Sequence, residues 1–201
     1  MILVLGAGGH ARPVIEALRA TGIEPAGLLD DAASGEILGV AVLGPIGSLA
    51  SRRAPGLSAV IAIGDNATRA RLGEMCRALG IALPVVIHPS ALVSPSARVA
   101  DGAQVMARAV IGPEVTLGTL ALVNTGAIVE HDGVVGDAAH LGPGVVLCGG
   151  VRVGARALVG AGAVARPGLV IGDDAVVAPG AALAADVPAG ARMGGVPARP
   201  F

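Results

Sequence analysis

Residues 92–187 read, cut every six places, LVSPSA RVADGA QVMARA VIGPEV TLGTLA LVNTGA IVEHDG VVGDAA HLGPGV VLCGGV RVGARA LVGAGA VARPGL VIGDDA VVAPGA ALAADV. These are sixteen hexads without an insertion. The second place is Val, Ile or Leu except at Ala165, and the sixth is Ala, Gly or Val except at Leu169. A period of six is neither that of a helix nor the alternation of a hairpin strand, and self-similarity over this length marks a solenoid. Three hexads close one triangular turn, each supplying a short flat strand and a corner. The aliphatic second place points inward and stacks on its equivalent in the next coil, while the small sixth place lets the corner close. At the usual ~4.8 Å strand spacing, about five coils should stand roughly 25 Å tall. Burial in the inward column contributes about 1.5–3 kcal/mol per aliphatic side chain. A rigid spacer would show the same repeat, but here the polar residues cluster unevenly along it.

The rest of the composition suits such a core. Hydrophobic residues make up 53% of the 201, yet the only aromatic is Phe201. Gly, Pro or charge interrupts the apolar runs too often for a membrane span. The start, MILVLGAGGH, has no basic leader and reads as a strand, so no signal peptide is expected. Net charge is −1 and the 14 basic residues, all Arg, are dispersed, which argues against nucleic acid as a partner. Cys76 and Cys148 lie far apart, and two unpaired thiols suit a reducing cytoplasm.

Residues 1–88 alternate strands and helices, which predicts a small parallel α/β sheet. The expected strands are Ile2–Leu5, Ala26–Leu29, Ala59–Ile63 and a closing Val85–Ile87, with a short strand at Val40–Leu43. The expected helices are Arg12–Ala20, Ile46–Arg52 and Ala67–Leu79, the last capped by Asp65 or Asn66. Cys76 falls on the core face of that last helix. The turn Gly6-Ala7-Gly8-Gly9-His10-Ala11 fits G-x-G-x-x-A between strand and helix, with Asp30-Asp31 ending the next strand. Backbone N–H groups of such a loop can approach a pyrophosphate, while the acid can bind a ribose hydroxyl. Gly64 should border the same crevice, and His10 lies in the loop. The domain is about half a full dinucleotide fold, which favours a nucleotide sugar over NAD. His88 reads as a structural residue at the junction.

Chemistry should sit on the solenoid. His131 occupies the fourth place of its hexad, at a corner, so its ring should face outward. A carboxylate from Asp132 or Glu130 accepting Nδ1–H would leave Nε2 free as a general base. One coil on, Gly149 shares that corner, leaves room beside His131, and can offer its N–H to a developing oxyanion. A neighbouring corner carries Pro143, Ala161 and Pro179, all short. His140 lies half a coil away and can serve the groove from an adjacent face or from another subunit. A zinc site of the carbonic-anhydrase kind needs three histidines together, and the solenoid has two. No metal is expected.

Seven motifs in order, GAGGHA, LLDD, IAIGDN, IHPSA, NTGAIVEHD, GDAAHLGPG and GGVPA, resemble the hexapeptide-repeat sugar acyltransferases. That family is related to sialic acid O-acetyltransferase and to bacterial nucleotide-amino-sugar N-acetyltransferases. The resemblance implies a Rossmann-like domain over 1–88, a left-handed parallel β-helix with C-terminal tail over 89–201, and a homotrimer. It implies acetyl-CoA as cosubstrate between adjacent β-helices, lying along His140, Ala161 and Pro179. Pro179 departs from the small Gly-rich stretch of many relatives. His131 would be the base, Asp132 its partner, and Gly149 the amide near the thioester oxygen. Gly8, Gly9, His10, Asp30, Asp31 and Gly64 would hold the nucleotide sugar, with Asn124 near the acceptor. The expected reaction is acetylation of an amine on a nucleotide-linked sugar. O-acetylation of a sugar hydroxyl, as in sialic acid, is the alternative, and a non-catalytic scaffold is a third reading.

Overall fold

The computed structural model describes residues 1–201. The first part is a three-stranded parallel sheet, ordered β2–β1–β5, from β1 (Ile2–Leu5), β2 (Gly27–Leu29) and β5 (Ser58–Ile61). A small hairpin, β3 (Glu36–Ile37) and β4 (Val40–Ala41), and a 3₁₀ helix over Ile46–Arg52 sit beside it. Helix α1 (Ala11–Ala20) buries Val14, Ile15 and Leu18, and helix α2 (Asn66–Ala78) buries Leu72 and Cys76. Asp65 caps α2 by accepting Thr68 N–H at 2.8 Å.

The solenoid has three faces of two-residue strands, each strand paired in parallel with its equivalent one coil away. The docking face runs through Val86, Gln104, Leu122, His140, Leu158 and Val176. The aliphatic face runs through Leu92, Val110, Ile128, Val146, Val164 and Ala182. The polar face runs through Arg98, Thr116, Val134, Arg152 and Val170. These are the outward first places. The second and sixth places fill one continuous core in which Val105, Val123, Val129, Val135 and Leu141 are fully buried. The fifth place adopts the left-handed conformation at Arg108, Leu120, Asp132, Ala138, Arg156 and Asp174, which turns the corner and throws the fourth place outward.

The sequence expectation fails at one strand. Val86–Ile87 does not close the α/β sheet; it pairs with Gln104–Val105 as the first rung of the solenoid. Its six-residue offset from Leu92 puts it in hexad register, and β5 has no free neighbour beyond β1 except a single bridge from Ser58 to Ala82. The docking face thereby gains a rung before Leu92, the aliphatic face holds six, and the prism has about six coils, where the sequence predicted about five. No helix is long and apolar enough to cross a membrane.

The two parts meet along the docking face. Apolar contact joins α1 to Met106 and Leu122, and α2 to Leu120 and Ala138. Gly73 of α2 admits the Leu120 side chain where any Cβ would collide with it. Between these patches lies Arg69, fully buried. Its Nε donates to Leu120 O at 3.0 Å, Nη1 to Ile63 O and Gly64 O at 3.0 Å each, and Nη2 to Asn66 Oδ1 at 2.8 Å and Ala138 O at 2.7 Å. Asn66 in turn donates to Arg156 O at 2.7 Å and Ala157 O at 3.0 Å.

Arg69→Leu would leave several of these carbonyls buried without a donor, each costing about 1–3 kcal/mol. Urea denaturation should therefore show a loss of about 3 kcal/mol or more. Arg77→Ala, which removes an exposed guanidinium beside Glu74, should leave the midpoint in place. An unchanged midpoint for Arg69→Leu would mean that apolar contact alone holds the seam.

Candidate active site

His131 stands at the vertex between the aliphatic and polar faces, with its side chain 62% exposed. Asp132 takes the left-handed conformation at φ +60, which a short acidic side chain tolerates, and folds back so that Oδ2 lies 2.8 Å from His131 Nδ1. That hydrogen bond, more than the charges of Asp132 and Glu130, holds the imidazole above its ordinary pKa against a small desolvation cost. Nε2 makes no hydrogen bond within the chain. The ring lies directly over Gly149: a Cβ there would sit 2.5 Å from both Cε1 and Nε2. The Gly150 amide donates to His131 O at 2.9 Å, whereas the Gly149 amide makes no hydrogen bond within the chain. An acid-oriented imidazole, an open amide and no intervening side chain therefore occur at one vertex.

A second polar group is built at the seam. His10, half-buried, hydrogen-bonds Gln104 Oε1 through Nε2 at 2.9 Å, and Gln104 Nε2 donates to Ile61 O at 2.7 Å. His140 Nε2 lies 3.4 Å from Asn124 Nδ2. Burial, then the Arg69 and His10 charges, push the His140 imidazole down to about 4, opposed by a hydrogen bond to the Gly64 backbone. Burial also lowers His10, with Gln104 pulling the other way and Arg69 adding to the depression. Gly8 and Gly9 are exposed and face open space. Asp30 is spent on the chain itself: Oδ2 accepts Ala7 N–H at 2.7 Å, and Oδ1 accepts the Ala32 and Ala33 N–H groups at 2.9 and 2.8 Å. These backbone bonds hold its carboxyl below the usual range although burial opposes them as the largest single effect. Asp31 is exposed and accepts Ile46 N–H at 2.9 Å through Oδ1. His88 accepts Ser90 N–H at 3.1 Å through Nδ1, a local turn contact.

The vertex and the seam do not meet within one chain. His131 and Gly149 stand opposite the docking face, with the aliphatic core between, whereas Asn124, Ala161 and Pro179 stand at the vertex joining the docking and aliphatic faces. None of the five hollows of the single chain touches His131 or Gly149. The largest, about 460 Å³ near Arg53 and Gly56, lies at the amino ends of the strands, remote from every candidate residue. Another, about 400 Å³, opens at the carboxyl ends of β2 and β5 against α2 and includes Asp30, Asp31 and Arg71.

Sequence reasoning missed Gln104, Arg69 and Arg71. The hexad register carried a signal for the first: Gln104 and His140 are polar first-place residues two coils apart on one face. Arg69 and Arg71 look like ordinary helix arginines in sequence, and only the packing separates them.

Residues 1–76 match the PglD N-terminal domain family model. A mutant of perosamine N-acetyltransferase from Caulobacter crescentus, solved with CoA and GDP-perosamine, is 44% identical, with 100% of this chain and 96% of that one aligned at TM-score 0.97. The acetyltransferase domain of PglB from Neisseria gonorrhoeae, solved with acetyl coenzyme A, is 37% identical over 100% and 98% of the two chains at TM-score 0.96. WeeI from Acinetobacter baumannii is 25% identical over 100% and 99% at TM-score 0.86. The likeness runs end to end and includes the left-handed parallel β-helix.

Two titrations check the vertex and the seam. By NMR, His131 should protonate with a pKa above the ordinary histidine value, and Asp132→Asn should lower it, since the partner that favours imidazolium is gone. His140 should remain neutral down to about pH 4 in both proteins. Gly149→Ala should keep the melting temperature but displace the ring, shifting the His131 resonances.

Proposed function

The chain belongs to the hexapeptide-repeat sugar acyltransferases and is an acetyl-CoA-dependent sugar N-acetyltransferase, and we propose that its active site is completed across a subunit boundary. The observation that carries this reading is the exposed His131–Asp132 pair seated on Gly149 with no wall around it. The substrate is the amine of a nucleotide-linked amino sugar. Its nitrogen attacks the thioester carbonyl of acetyl-CoA, forming the C–N bond while the carbonyl oxygen gains negative charge. The Gly149 N–H donates to that oxyanion. His131 Nε2 takes the proton from nitrogen, steadied as imidazolium by Asp132. The C–S bond then breaks, and the CoA thiolate receives the proton back from His131.

The missing wall is supplied by a second copy. The outward first-place residues of the aliphatic face carry no charge, and Leu92 and Val164 are exposed there, which is how an unpartnered contact surface reads. Its two edges differ: one bears His131 and Gly149, the other Asn124, Pro143, Ala161 and Pro179. Side-by-side contact of unlike edges is a heterologous interface, which closes into a ring when the rotation between copies returns to its start. We take that ring to be the homotrimer implied by the family resemblance. His131 of one copy then faces the next copy's Asn124 and His140, with acetyl-CoA in the groove along Ala161 and Pro179. Gly8, Gly9, His10, Asp31 and Gly64 of that next copy hold the nucleotide sugar, and Asp30 shapes their loop. Residues 1–88 bind the nucleotide sugar and 89–201 carry acyl transfer, sharing the Val86–Ile87 rung. The free thiols Cys76 and Cys148 fit a cytoplasmic setting.

Thiol release from acetyl-CoA, assayed with UDP-, GDP- and dTDP-amino sugars, tests the reaction, and His131→Ala should lose about 10²–10⁴ in rate. Acetylation of free sugars alone would overturn the N-acetyl assignment. Coexpression tests the boundary. His131→Ala and Gly8→Trp chains, each inactive alone, should together regain about a quarter of wild-type turnover in mixed rings. A site contained in one chain would give no rescue.

A further inference from the structure

The crevice at the carboxyl ends of β2 and β5 has a chemistry that the acyl transfer does not use. Asp31 and Arg71 both border this hollow of about 400 Å³, a size within the range of small-ligand sites. Both are exposed. Neither is spent on an ion pair. The paired residues are Arg19 with Glu24, Arg77 with Glu74, Arg98 with Glu114, His131 with Asp132 and Arg156 with Asp174. Ile46 N–H fixes the Asp31 carboxylate through Oδ1 and leaves Oδ2 open. The other walls include Ile46, Ile63, Leu72 and Met75, apolar surface against which a ring can be buried. Asp30, the remaining acid of the pair, has its oxygens taken by backbone N–H groups.

Resting on the nucleotide-sugar reading above, we propose that Asp31 and Arg71 select the base of that nucleotide, and that the base is guanine. Guanine presents two adjacent donors, N1–H and the N2 amino group, beside two acceptors, O6 and N7. A carboxylate matches the donors and a guanidinium matches the acceptors, the latter being a common bidentate pairing. Uracil and thymine offer one N3–H between two carbonyl oxygens, so an acid that reaches the donor also faces an acceptor. Adenine places the N1 acceptor beside its N6 amino group, with the same conflict. An acid and a base bordering one partly apolar hollow thus match one of the four rings on both edges.

Calorimetry with GDP, UDP, dTDP and ADP on the full chain tests this assignment. GDP should bind at least about tenfold more tightly than the others, the scale of one good bidentate base contact. Arg71→Met should erase most of that preference while leaving UDP affinity within about twofold, and Asp31→Asn should weaken GDP by more than it weakens UDP. Two results would overturn the base assignment and leave the nucleotide site standing. One is UDP or dTDP binding as tightly as GDP. The other is Arg71→Met weakening all four nucleotides equally, which would make Arg71 a phosphate ligand. Failure of every nucleotide to bind would sink the nucleotide-sugar reading itself.

Discussion

A single buried guanidinium decides how the two halves of this chain sit together. Arg69 carries its charge into the seam with no carboxylate in ion-pair contact, Asp65 acting on it only through space, and such a charge is tolerable only when every N–H finds an oxygen. Here the oxygens come from the end of β5, from Asn66, and from the Leu120 and Ala138 corners of the solenoid. Meeting all of them at once fixes the tilt of α2, the turn at Gly64 and the height of the α/β part along the prism. The hollow at the carboxyl ends of β2 and β5 and the His131 vertex inherit their relative position from that one set of bonds.

Burial first, and that charge after it, sort the histidines. His10 and His140 lie near Arg69 in partly dry surroundings, where a second positive charge would be unfavourable, so they act as neutral hydrogen-bonding rings. His131 is on the far side of the aliphatic core, in water, against a carboxylate, and its affinity for a proton is raised instead. Two kinds of imidazole, one reluctant to take a proton and one eager for it, thus come from the same residue type through environment alone.

At the His131 vertex, backbone geometry does much of the arrangement. The left-handed fifth place is a requirement of the corner, and filling it with Asp132 puts a carboxylate next to the fourth-place ring without any tertiary contact. The translation by one coil then stacks Gly149 on that ring, and the absence of a side chain leaves an amide exposed. Each step is a consequence of the repeat, which is why so compact a site can be built from residues 131, 132 and 149.

The extent to which this was readable from sequence follows the same division. Anything governed by the repeat was legible: the inward column, the outward face of His131, its pairing with Asp132 and its stacking on Gly149 all follow from register and translation. The α/β elements were legible to within a few residues, apart from Val86–Ile87, whose short apolar strand suits either sheet equally well. What the sequence could not decide was which outward face the first part would cover. That depends on the fit of Gly73 to Leu120 and on Arg69 reaching carbonyls 51 and 69 residues away, and side-chain identity alone does not encode such distances. Only the folded chain could therefore place His10 and His140 opposite His131, and separate Asp30, spent on its own loop, from Asp31, left open at the crevice.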